Sequence, residues 1–260
     1  MVKSNDDIRQ EQFANQLIRT FDQIFKQKRV NLWLKPYDII ATGQRCGLLE
    51  FATDSNNISG IKEKLGGKNY KLIDYFICQF GPVKSKAHKI ARQNFCRSLA
   101  AYSLLCYILQ IKDRHNENIM LDIEGHLFHI DFGFLISNAP GKGVKFENAP
   151  FKLTAEFVEV LGGTRSTEFG EFRELMKRGF MALQENAEKI IIIIEMMFLG
   201  QNDLPCFKGG EKCIKELKDR FFPRGKMLSD SECQRFIDGL VEESYNNWRT
   251  NCYDNFQYRV

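Results

Sequence analysis

Residues 113–118 read Asp-Arg-His-Asn-Glu-Asn, and residues 129–133 read His-Ile-Asp-Phe-Gly. Between these two stretches, short apolar runs flank the turn sequence Asp-Ile-Glu-Gly, a pattern that predicts a β-hairpin. A hairpin is a short and stiff connection, so it would bring the carboxylates of Asp113 and Asp131 close to the carboxamide of Asn118. The sequence therefore predicts one site where three oxygen-bearing side chains converge.

These three groups are the ones that phosphoryl transfer from ATP requires. One carboxylate must lie near the attacking hydroxyl, while an amide oxygen and a second carboxylate hold magnesium against the phosphates. Asp113 precedes Asn118 by five positions, as in the kinase pattern, and Asp131 opens an Asp-Phe-Gly sequence after the hairpin. An isolated Asp-Phe-Gly is most often a turn, but order, spacing and hairpin together favour a site for ATP and Mg²⁺.

The composition is that of an ordinary globular protein. The chain has 260 residues, of which 43% are hydrophobic and 27% charged, which excludes collagen-like and disordered classes. The net charge of 37 minus 33, or +4, gives no reason to expect nucleic-acid binding and allows weak attraction to an anionic membrane surface. The eight cysteines form no Cys-x-x-Cys pair, so we expect no zinc site. Several of them lie in apolar helical stretches, so we expect reduced thiols in the core of a cytoplasmic protein.

Strand patterns lie mainly in the first half of the chain and helical patterns dominate the second half. The first 52 residues predict an amphipathic helix at 4–29, capped by Ser4 or Asn5, and two strands at 37–42 and 47–52. Residues 54–70 are polar and predict a loop with one helical turn. The other predicted helices lie at about 71–80, 86–111, 154–161, 167–184, 186–199, 210–221 and 229–247.

The combined pattern resembles the phosphatidylinositol 3-/4-kinase family. The order Asp-Arg-His is the inverse of the protein-kinase order, and Asn116 stands where the related protein kinases have Pro. Residues 3–11 resemble the family's lysine strand and the helix that follows it. Five further stretches are similar to the type III beta phosphatidylinositol 4-kinases within that family: residues 32–37, 109–116, 151–157, 204–207 and 253–258.

The resemblance implies an α+β, kinase-like two-lobe fold and a lipid kinase activity. Residues 1–52 would form a partial small lobe, with a few antiparallel strands and one helix, that ends at the hinge. Residues 53–260 would form a mostly helical large lobe with a catalytic loop at 113–118 and an activation loop at 131–153. The implied reaction transfers the ATP γ-phosphate to the 4-hydroxyl of phosphatidylinositol and gives phosphatidylinositol 4-phosphate.

The resemblance also implies the nucleotide and metal ligands. Lys3 would contact the ATP phosphates as a catalytic residue, and Glu11 would orient Lys3. The simpler alternatives are a solvated helix carboxylate for Glu11 and an ordinary core aromatic for Tyr37. The remaining cofactor-binding positions are Tyr37 behind adenine, the backbone of Glu50, Phe51 and Ala52 at the hinge, Ile130, and the magnesium ligands Asn118 and Asp131.

Two residues compete for the role of the catalytic base. By spacing, Asp113 matches the base of protein kinases. Histidine side chains ordinarily titrate near neutral pH, which makes His115 suited to removing a proton from an inositol hydroxyl. We expect His115 to accept the proton and Asp113 to position the hydroxyl or His115, with the reverse assignment left open.

Three lysines in the predicted activation loop would contact the lipid headgroup, namely Lys142, Lys145 and Lys152. A headgroup that already carries extra phosphates would need a denser basic cluster. Three spread lysines therefore fit phosphatidylinositol itself. Ordinary surface lysines are the alternative at each position.

Other interpretations stay open: an inactive kinase-like lobe that serves as a binding scaffold, a phosphatidylinositol 3-kinase, or a protein kinase of the related large family. The intact trio of Asp113, Asn118 and Asp131 argues against the scaffold. Because Lys3 lies at the extreme N-terminus, without the strands and phosphate-covering loop that precede it in the family, we expect weak or no turnover from residues 1–260 alone.

The resemblance also implies where the protein acts and with which partners. It implies a peripheral enzyme of Golgi or endosomal membranes, regulated by small GTPases or adaptors. The sequence does not predict an oligomeric state.

Overall fold

The computed structural model describes residues 1–5, 7–43, 45–67, 70–139 and 149–247. The strands in these ranges are β1 (Val2–Ser4), β2 (Ile39–Gly43), β3 (Cys46–Leu49), β4 (Ser55–Asn57), β5 (Ile119–Asp122) and β6 (Leu127–His129). The α-helices are α1 (Arg9–Gln27), α2 (Ile58–Leu65), α3 (Leu72–Phe80), α4 (Lys86–Leu109), α5 (Ala155–Val160), α6 (Thr167–Glu185), α7 (Ala187–Gly200), α8 (Glu211–Phe221) and α9 (Asp230–Ser244).

The N-terminal sheet has the antiparallel order β1–β3–β2 and packs near α1. Lys3 lies opposite Gly47 in this sheet. A Cβ at Gly47 would come within 1.8 Å of Ile8 Cδ1, so glycine is needed for the start of α1 to approach the sheet. The apolar side chains of α1 lie on one face with helical spacing, and those at Leu17 and Phe21 are fully buried. Each contributes roughly 1.5–3 kcal/mol by its burial.

A second antiparallel sheet, in the order β4–β5–β6, contains the predicted hairpin. Its turn is stabilised by Asp122, whose Oδ1 accepts hydrogen bonds from the Glu124 N–H at 3.0 Å and the His126 N–H at 2.8 Å. Gly125 has a φ of 89°, and a Cβ there would lie 2.8 Å from the Ala91 carbonyl. The hairpin turn therefore rests directly on the backbone of α4.

The helical part is organised around α4, whose second half is buried on nearly all sides. This helix packs against α6 and β6, and α6 packs against α9. Gly179 of α6 permits the close packing, because a Cβ there would lie 2.5 Å from Leu32 and 2.6 Å from Leu104. The predicted α+β fold, with few strands and one helix before a mostly helical remainder, is confirmed.

Two local predictions are wrong. The first helix begins at Arg9 rather than residue 4, because residues 2–4 pair with β3 as a strand, and Ile8 occupies the N-cap without a side-chain hydrogen bond. Residues 54–70 contain β4 and α2 rather than a loop with one turn. The polar strand β4 is held by pairing with β5, and Asn57 Oδ1 caps α2 by accepting a hydrogen bond from the Gly60 N–H at 2.7 Å.

The proposed lobe boundary between residues 52 and 53 stays a prediction. Of the helices that the structure describes, none combines the length and the apolar character needed to span a bilayer.

Candidate nucleotide and metal site

The two sequence stretches 113–118 and 129–133 lie side by side through backbone hydrogen bonds. The Ile130 N–H donates to the Asn118 carbonyl at 3.1 Å, and the Lys112 N–H donates to the Phe134 carbonyl at 3.0 Å. Within the first stretch, the Asn118 N–H donates to the His115 carbonyl at 3.0 Å. The half-buried Ile130 is therefore the direct neighbour of Asn118, and Asp131 follows it by one residue.

The buried side chain of Arg114 connects the two stretches through hydrogen bonds to backbone carbonyls. Its side chain is 3% exposed, and Nε donates to the Lys112 carbonyl at 2.9 Å while Nη1 donates to the Ile130 carbonyl at 2.8 Å. Nη2 donates to the Asp131 carbonyl, and the guanidinium lies 5.7 Å from the centre of the Phe132 ring. The planar fork of arginine suits several acceptors at once. Arg114 thus fixes the backbone on both sides of the candidate site.

Both predicted acids occupy left-handed backbone. The φ angle is 65° at Asp113 and 57° at Asp131, a conformation that costs about 1–2 kcal/mol for a residue with a Cβ. Surrounding hydrogen bonds hold the strained residues: the Asp113 carbonyl accepts from Asn118 Nδ2 at 3.1 Å, and Asp131 Oδ1 accepts from the Gly133 N–H at 3.2 Å. Strain maintained at both acids supports a functional role for this cluster.

The side chains of Asn118 and Asp131 suit a hard divalent cation. Asn118 Nδ2 is occupied, because it lies 3.1 Å from the Asp113 carbonyl and 3.2 Å from His115 Nε2. Among the residues that the structure describes, Asn118 Oδ1 and Asp131 Oδ2 accept no hydrogen bond. Oxygen donors of these two types are the ligands that Mg²⁺ prefers. The residues present therefore fit the ion, and their assignment as ligands stays a prediction.

His115 and Asp113 face one another. The distance from His115 Nε2 to Asp113 Oδ1 is 3.9 Å, and the side chains are 11% and 20% exposed. On the other edge of the ring, the Glu117 N–H lies 3.3 Å from Nδ1. Each of the two candidate bases is partly accessible, and the two lie within ion-pair distance but beyond hydrogen-bond distance, so the geometry is compatible with either assignment.

Two hydrogen bonds and one aromatic contact connect Lys3 to the Asp-Phe-Gly sequence. Lys3 Nζ lies 3.3 Å from Glu11 Oε2, and Tyr37 Oη donates to Glu11 Oε1 at 2.6 Å. The Tyr37 ring stacks on Phe132 with centroids 6.4 Å apart. Burial, with the Glu11 carboxylate nearby, raises the pKa of Tyr37, so the phenol remains a neutral donor. Glu11 is 8% exposed, which excludes the simpler reading of a solvated helix carboxylate.

The predicted hinge, residues 50–52, has two backbone groups that can form hydrogen bonds to a ligand. The Glu50 N–H donates to the Asp38 carbonyl at 2.8 Å, and Glu50 Oε2 accepts from the Asp38 N–H at 2.9 Å. In the described part of the chain, the Glu50 carbonyl and the Ala52 N–H have no hydrogen-bond partner. The Phe51 side chain is 69% exposed. This segment therefore offers one acceptor and one donor to a ligand.

Of the three lysines predicted to contact the headgroup, the structure describes only Lys152. Lys142 and Lys145 lie outside the described residues. Lys152 is 7% exposed, and its Nζ donates to Asn116 Oδ1 at 2.9 Å. The surface-lysine alternative is therefore wrong for Lys152, which contacts the 113–118 stretch. Its contact with a headgroup stays a prediction.

Two residues of this cluster, Gln10 and Asn116, were not predicted to have a role in the site. Gln10 is buried on the same face of α1 as Ala14, Leu17 and Phe21. A polar residue within an apolar helical stripe was the available signal. No periodicity marks Asn116, whose role depends on the approach of Lys152.

We expect His129 to make the stability of the fold sensitive to acid. The ring packs on Tyr102 with centroids 4.7 Å apart, and Nδ1 lies 3.6 Å from Cys106 Sγ. Burial, aided by the charges of Arg114 and Lys152, lowers the pKa of His129 well below its usual value. Below about pH 6.5, His129 binds a proton in the unfolded chain but not in the folded chain. The free energy of unfolding therefore decreases as the pH falls.

The measurement compares urea unfolding of the wild type and His129→Asn at pH 7.5 and 5.5. The wild type should lose about 1.4 kcal/mol more than the variant over this interval. Parallel losses in the two proteins would contradict the prediction. A lower stability of the variant at both pH values does not affect the test, because only the difference between pH values is compared.

The fold and this cluster together define the protein class. A small antiparallel sheet with one helix precedes a helical part, and an Asp-x-x-x-x-Asn loop runs beside Asp-Phe-Gly across a hairpin. This is the arrangement of a kinase-like phosphotransferase. The model of the family described as "Phosphatidylinositol 3- and 4-kinase" matches residues 1–91 and 67–208. The chain belongs to this family.

Curated proteins of several organisms are similar to nearly the whole chain. The Dictyostelium discoideum protein "Phosphatidylinositol 4-kinase" is 43% identical over 257 residues, which are 99% of this chain and 21% of that protein. "Phosphatidylinositol 4-kinase beta 1" of Arabidopsis thaliana is 43% identical over 261 residues, 99% of this chain and 23% of that protein. "Phosphatidylinositol 4-kinase beta" of Rattus norvegicus is 39% identical over 258 residues, 99% of this chain and 30% of that protein.

These comparisons support the resemblance drawn from the sequence, including its beta-type features. The chain spans between 21% and 31% of the length of relatives such as those of Dictyostelium discoideum and Schizosaccharomyces pombe.

Proposed function

We propose that this chain is the catalytic region of a phosphatidylinositol 4-kinase, which transfers the γ-phosphate of ATP to the 4-hydroxyl of phosphatidylinositol. The observation that carries the proposal is the backbone bond from Ile130 to Asn118, which sets the two sequence stretches side by side. Family membership favours ATP as the phosphoryl donor, and the names of the relatives favour the 4-hydroxyl over the 3-hydroxyl.

The nucleotide would lie between the hinge and the two loops. The Glu50 carbonyl and the Ala52 N–H would bind adenine, with Tyr37 and Ile130 as neighbours of the pocket. Lys3, oriented by Glu11, would contact the phosphates through its ammonium group. Asn118 and Asp131 would hold Mg²⁺, which supplies positive charge against the phosphates when it is bound.

The lipid would approach from the side of the 113–118 stretch. His115 would accept the proton of the inositol hydroxyl, and Asp113, at 3.9 Å from Nε2, would orient either His115 or the hydroxyl. Lys142, Lys145 and Lys152 would contact the headgroup. Because the proposed substrate is a membrane lipid, the protein would work as a peripheral protein at a membrane surface, and the cytoplasmic side of that membrane is a proposal that rests on the resemblance. A Golgi or endosomal membrane and small-GTPase or adaptor regulators remain proposals that rest on the resemblance.

The test of the function has two readouts. The first is Mg²⁺-dependent binding of a fluorescent ATP analogue, which separates a kinase site from a scaffold. The second is transfer of label from γ-labelled ATP to phosphatidylinositol vesicles, with a peptide substrate in parallel, followed by deacylation and chromatography that separates 4- from 3-phosphates. A folded chain that binds no nucleotide in the presence of Mg²⁺ would support the scaffold, and label in the 3-phosphate would support a 3-kinase.

The size of the loss in kcat distinguishes the two candidate bases. If His115 accepts the proton, His115→Asn should lower kcat by roughly 10²–10⁴-fold, and Asp113→Asn, which removes only a positioning group, should lower it less. The reverse order, with the larger loss in Asp113→Asn, would assign the base to Asp113. Glu124→Gln serves as the control, because it removes one charge in the hairpin turn that follows this loop, at a side chain that is 71% exposed.

A further inference from the structure

Gln10 connects the start of α1 to the Asp-Phe-Gly sequence. Its side chain is 5% exposed, and Nε2 donates to the Phe132 carbonyl at 3.0 Å and to the Gly133 carbonyl at 2.6 Å. Its Oε1 accepts from the Cys206 N–H at 2.9 Å. The carboxamide of Gln10 therefore joins α1 to two backbone segments that are distant in sequence, residues 132–133 and residue 206.

The contacts of Gln10 act on the residues next to Asp131. Asp131 has a left-handed φ of 57° and needs support from its surroundings to keep it. Arg114 donates to the Asp131 carbonyl, and Gln10 donates to the next two carbonyls, those of Phe132 and Gly133. The orientation of the Asp131 carboxylate follows from this backbone, because the Gly133 N–H bonds to Asp131 Oδ1.

The neighbour of Gln10 in α1 is Glu11, which bonds to Lys3 and Tyr37. One turn of α1 therefore carries two adjacent side chains with different tasks. Glu11 holds the ammonium that would contact the phosphates, and Gln10 holds the backbone that carries the predicted metal ligand. A displacement of this turn would disturb both at once.

We propose that Gln10 is a positioning residue that sets the Mg²⁺ affinity of the site by holding the backbone of Phe132 and Gly133. The inference rests on the proposed function, since it assigns Asp131 as a metal ligand. The competing explanation is that Gln10 only stabilises the fold. In that case, replacing Gln10 would lower the stability of the protein without a specific effect on its Mg²⁺ affinity.

The chain offers a matched control in Gln184. This glutamine is 3% exposed, its Nε2 donates to the Phe221 carbonyl at 2.7 Å, and its Oε1 accepts from the Leu228 N–H at 3.4 Å. None of these contacts involves the candidate site. Gln10→Met and Gln184→Met both remove a buried carboxamide that bonds to backbone groups, so both should lower the melting temperature.

The first measurement is the Mg²⁺ concentration at half-maximal binding of a fluorescent ATP analogue. Gln10→Met should raise it by about tenfold, while Gln184→Met should leave it unchanged. Equal midpoints in the two variants would overturn the proposal. Gln10→Glu adds a second arm, because a carboxylate repels the two carbonyls whereas its protonated form can donate to one of them. The Mg²⁺ concentration at half-maximal binding for Gln10→Glu, divided by the wild-type value at the same pH, should therefore decrease as the pH falls from 8 to 6.

The second measurement is amide hydrogen exchange of the chain without nucleotide. Gln10→Met should accelerate exchange in residues 131–136, and Gln184→Met should not. If the wild type shows no Mg²⁺-dependent nucleotide binding, the proposed function fails, and exchange alone then decides the positioning role. Unchanged exchange in Gln10→Met would overturn that role whatever the nucleotide result.

Discussion

Asp131→Asn is expected to abolish Mg²⁺-dependent nucleotide binding while leaving the fold intact. The substitution keeps the size of the side chain and the Oδ1 acceptor for the Gly133 N–H, which lies at 3.2 Å. It removes the negative charge that a divalent cation needs. Loss of residues that merely support metal ligands costs about 10- to 100-fold in affinity, so loss of a ligand should cost at least about 100-fold.

The measurement is a Mg²⁺ titration of fluorescent ATP-analogue binding, with phosphate transfer to phosphatidylinositol vesicles as a second readout. Glu124→Gln is the matched control, because Glu124 lies in the turn between the two stretches and its side chain is 71% exposed. The control removes the same charge from the hairpin turn that precedes Asp131 and should titrate as the wild type does. If Asp131→Asn titrates like Glu124→Gln, Asp131 is no metal ligand and the proposed site is wrong.

The sequence predicted the convergence of the two stretches because it depends on local geometry. A hairpin of fixed register, with Ile119 opposite His129, places the preceding and following residues side by side. That register brings Asn118 next to Ile130 regardless of how the rest of the chain packs. Predictions of this kind need only spacing and turn chemistry, and both can be read from residues 113–133.

Contacts that depend on tertiary packing could not be predicted in this way. The positions that Gln10 bonds to are separated from it by 122 to 196 residues, and nothing local indicates them. The same holds for Lys152, predicted to be a headgroup contact, whose buried ammonium bonds to Asn116. The strand β4 was missed because Ser55–Asn57 contains no apolar residue, and only its pairing with β5 makes it a strand.

Arg114→Met is expected to lower the free energy of unfolding by about 3 kcal/mol or more. Methionine fills a similar volume but cannot donate, so the partly buried carbonyls of Lys112, Ile130 and Asp131 would each lose a donor. An acceptor left unsatisfied in a protein interior costs about 1–3 kcal/mol. The left-handed residue Asp131 would lose one of its supports as well.

Two further variants show whether the fork or the charge of Arg114 matters. Arg114→Lys keeps the charge, but a single ammonium cannot reach three carbonyls in the planar arrangement, so most of the loss should remain. Arg220→Met is the matched control, because Arg220 is another largely buried arginine whose Nε donates to one carbonyl, that of Ile108, at 2.7 Å. Its loss should be about 1 kcal/mol. Urea unfolding at pH 7.5 measures all three variants.

The Arg114 variants also test the site, because Arg114 joins the loop that carries Asn118 to the segment that carries Asp131. If the planar guanidinium of Arg114 keeps Asn118 and Asp131 in their relative positions, the folded fraction of Arg114→Lys should need a higher Mg²⁺ concentration than the wild type to bind the ATP analogue. Arg220→Met should show the wild-type midpoint. Wild-type stability and a wild-type midpoint in Arg114→Lys would mean that charge alone orders the loops, and the geometric account of the site would then fail.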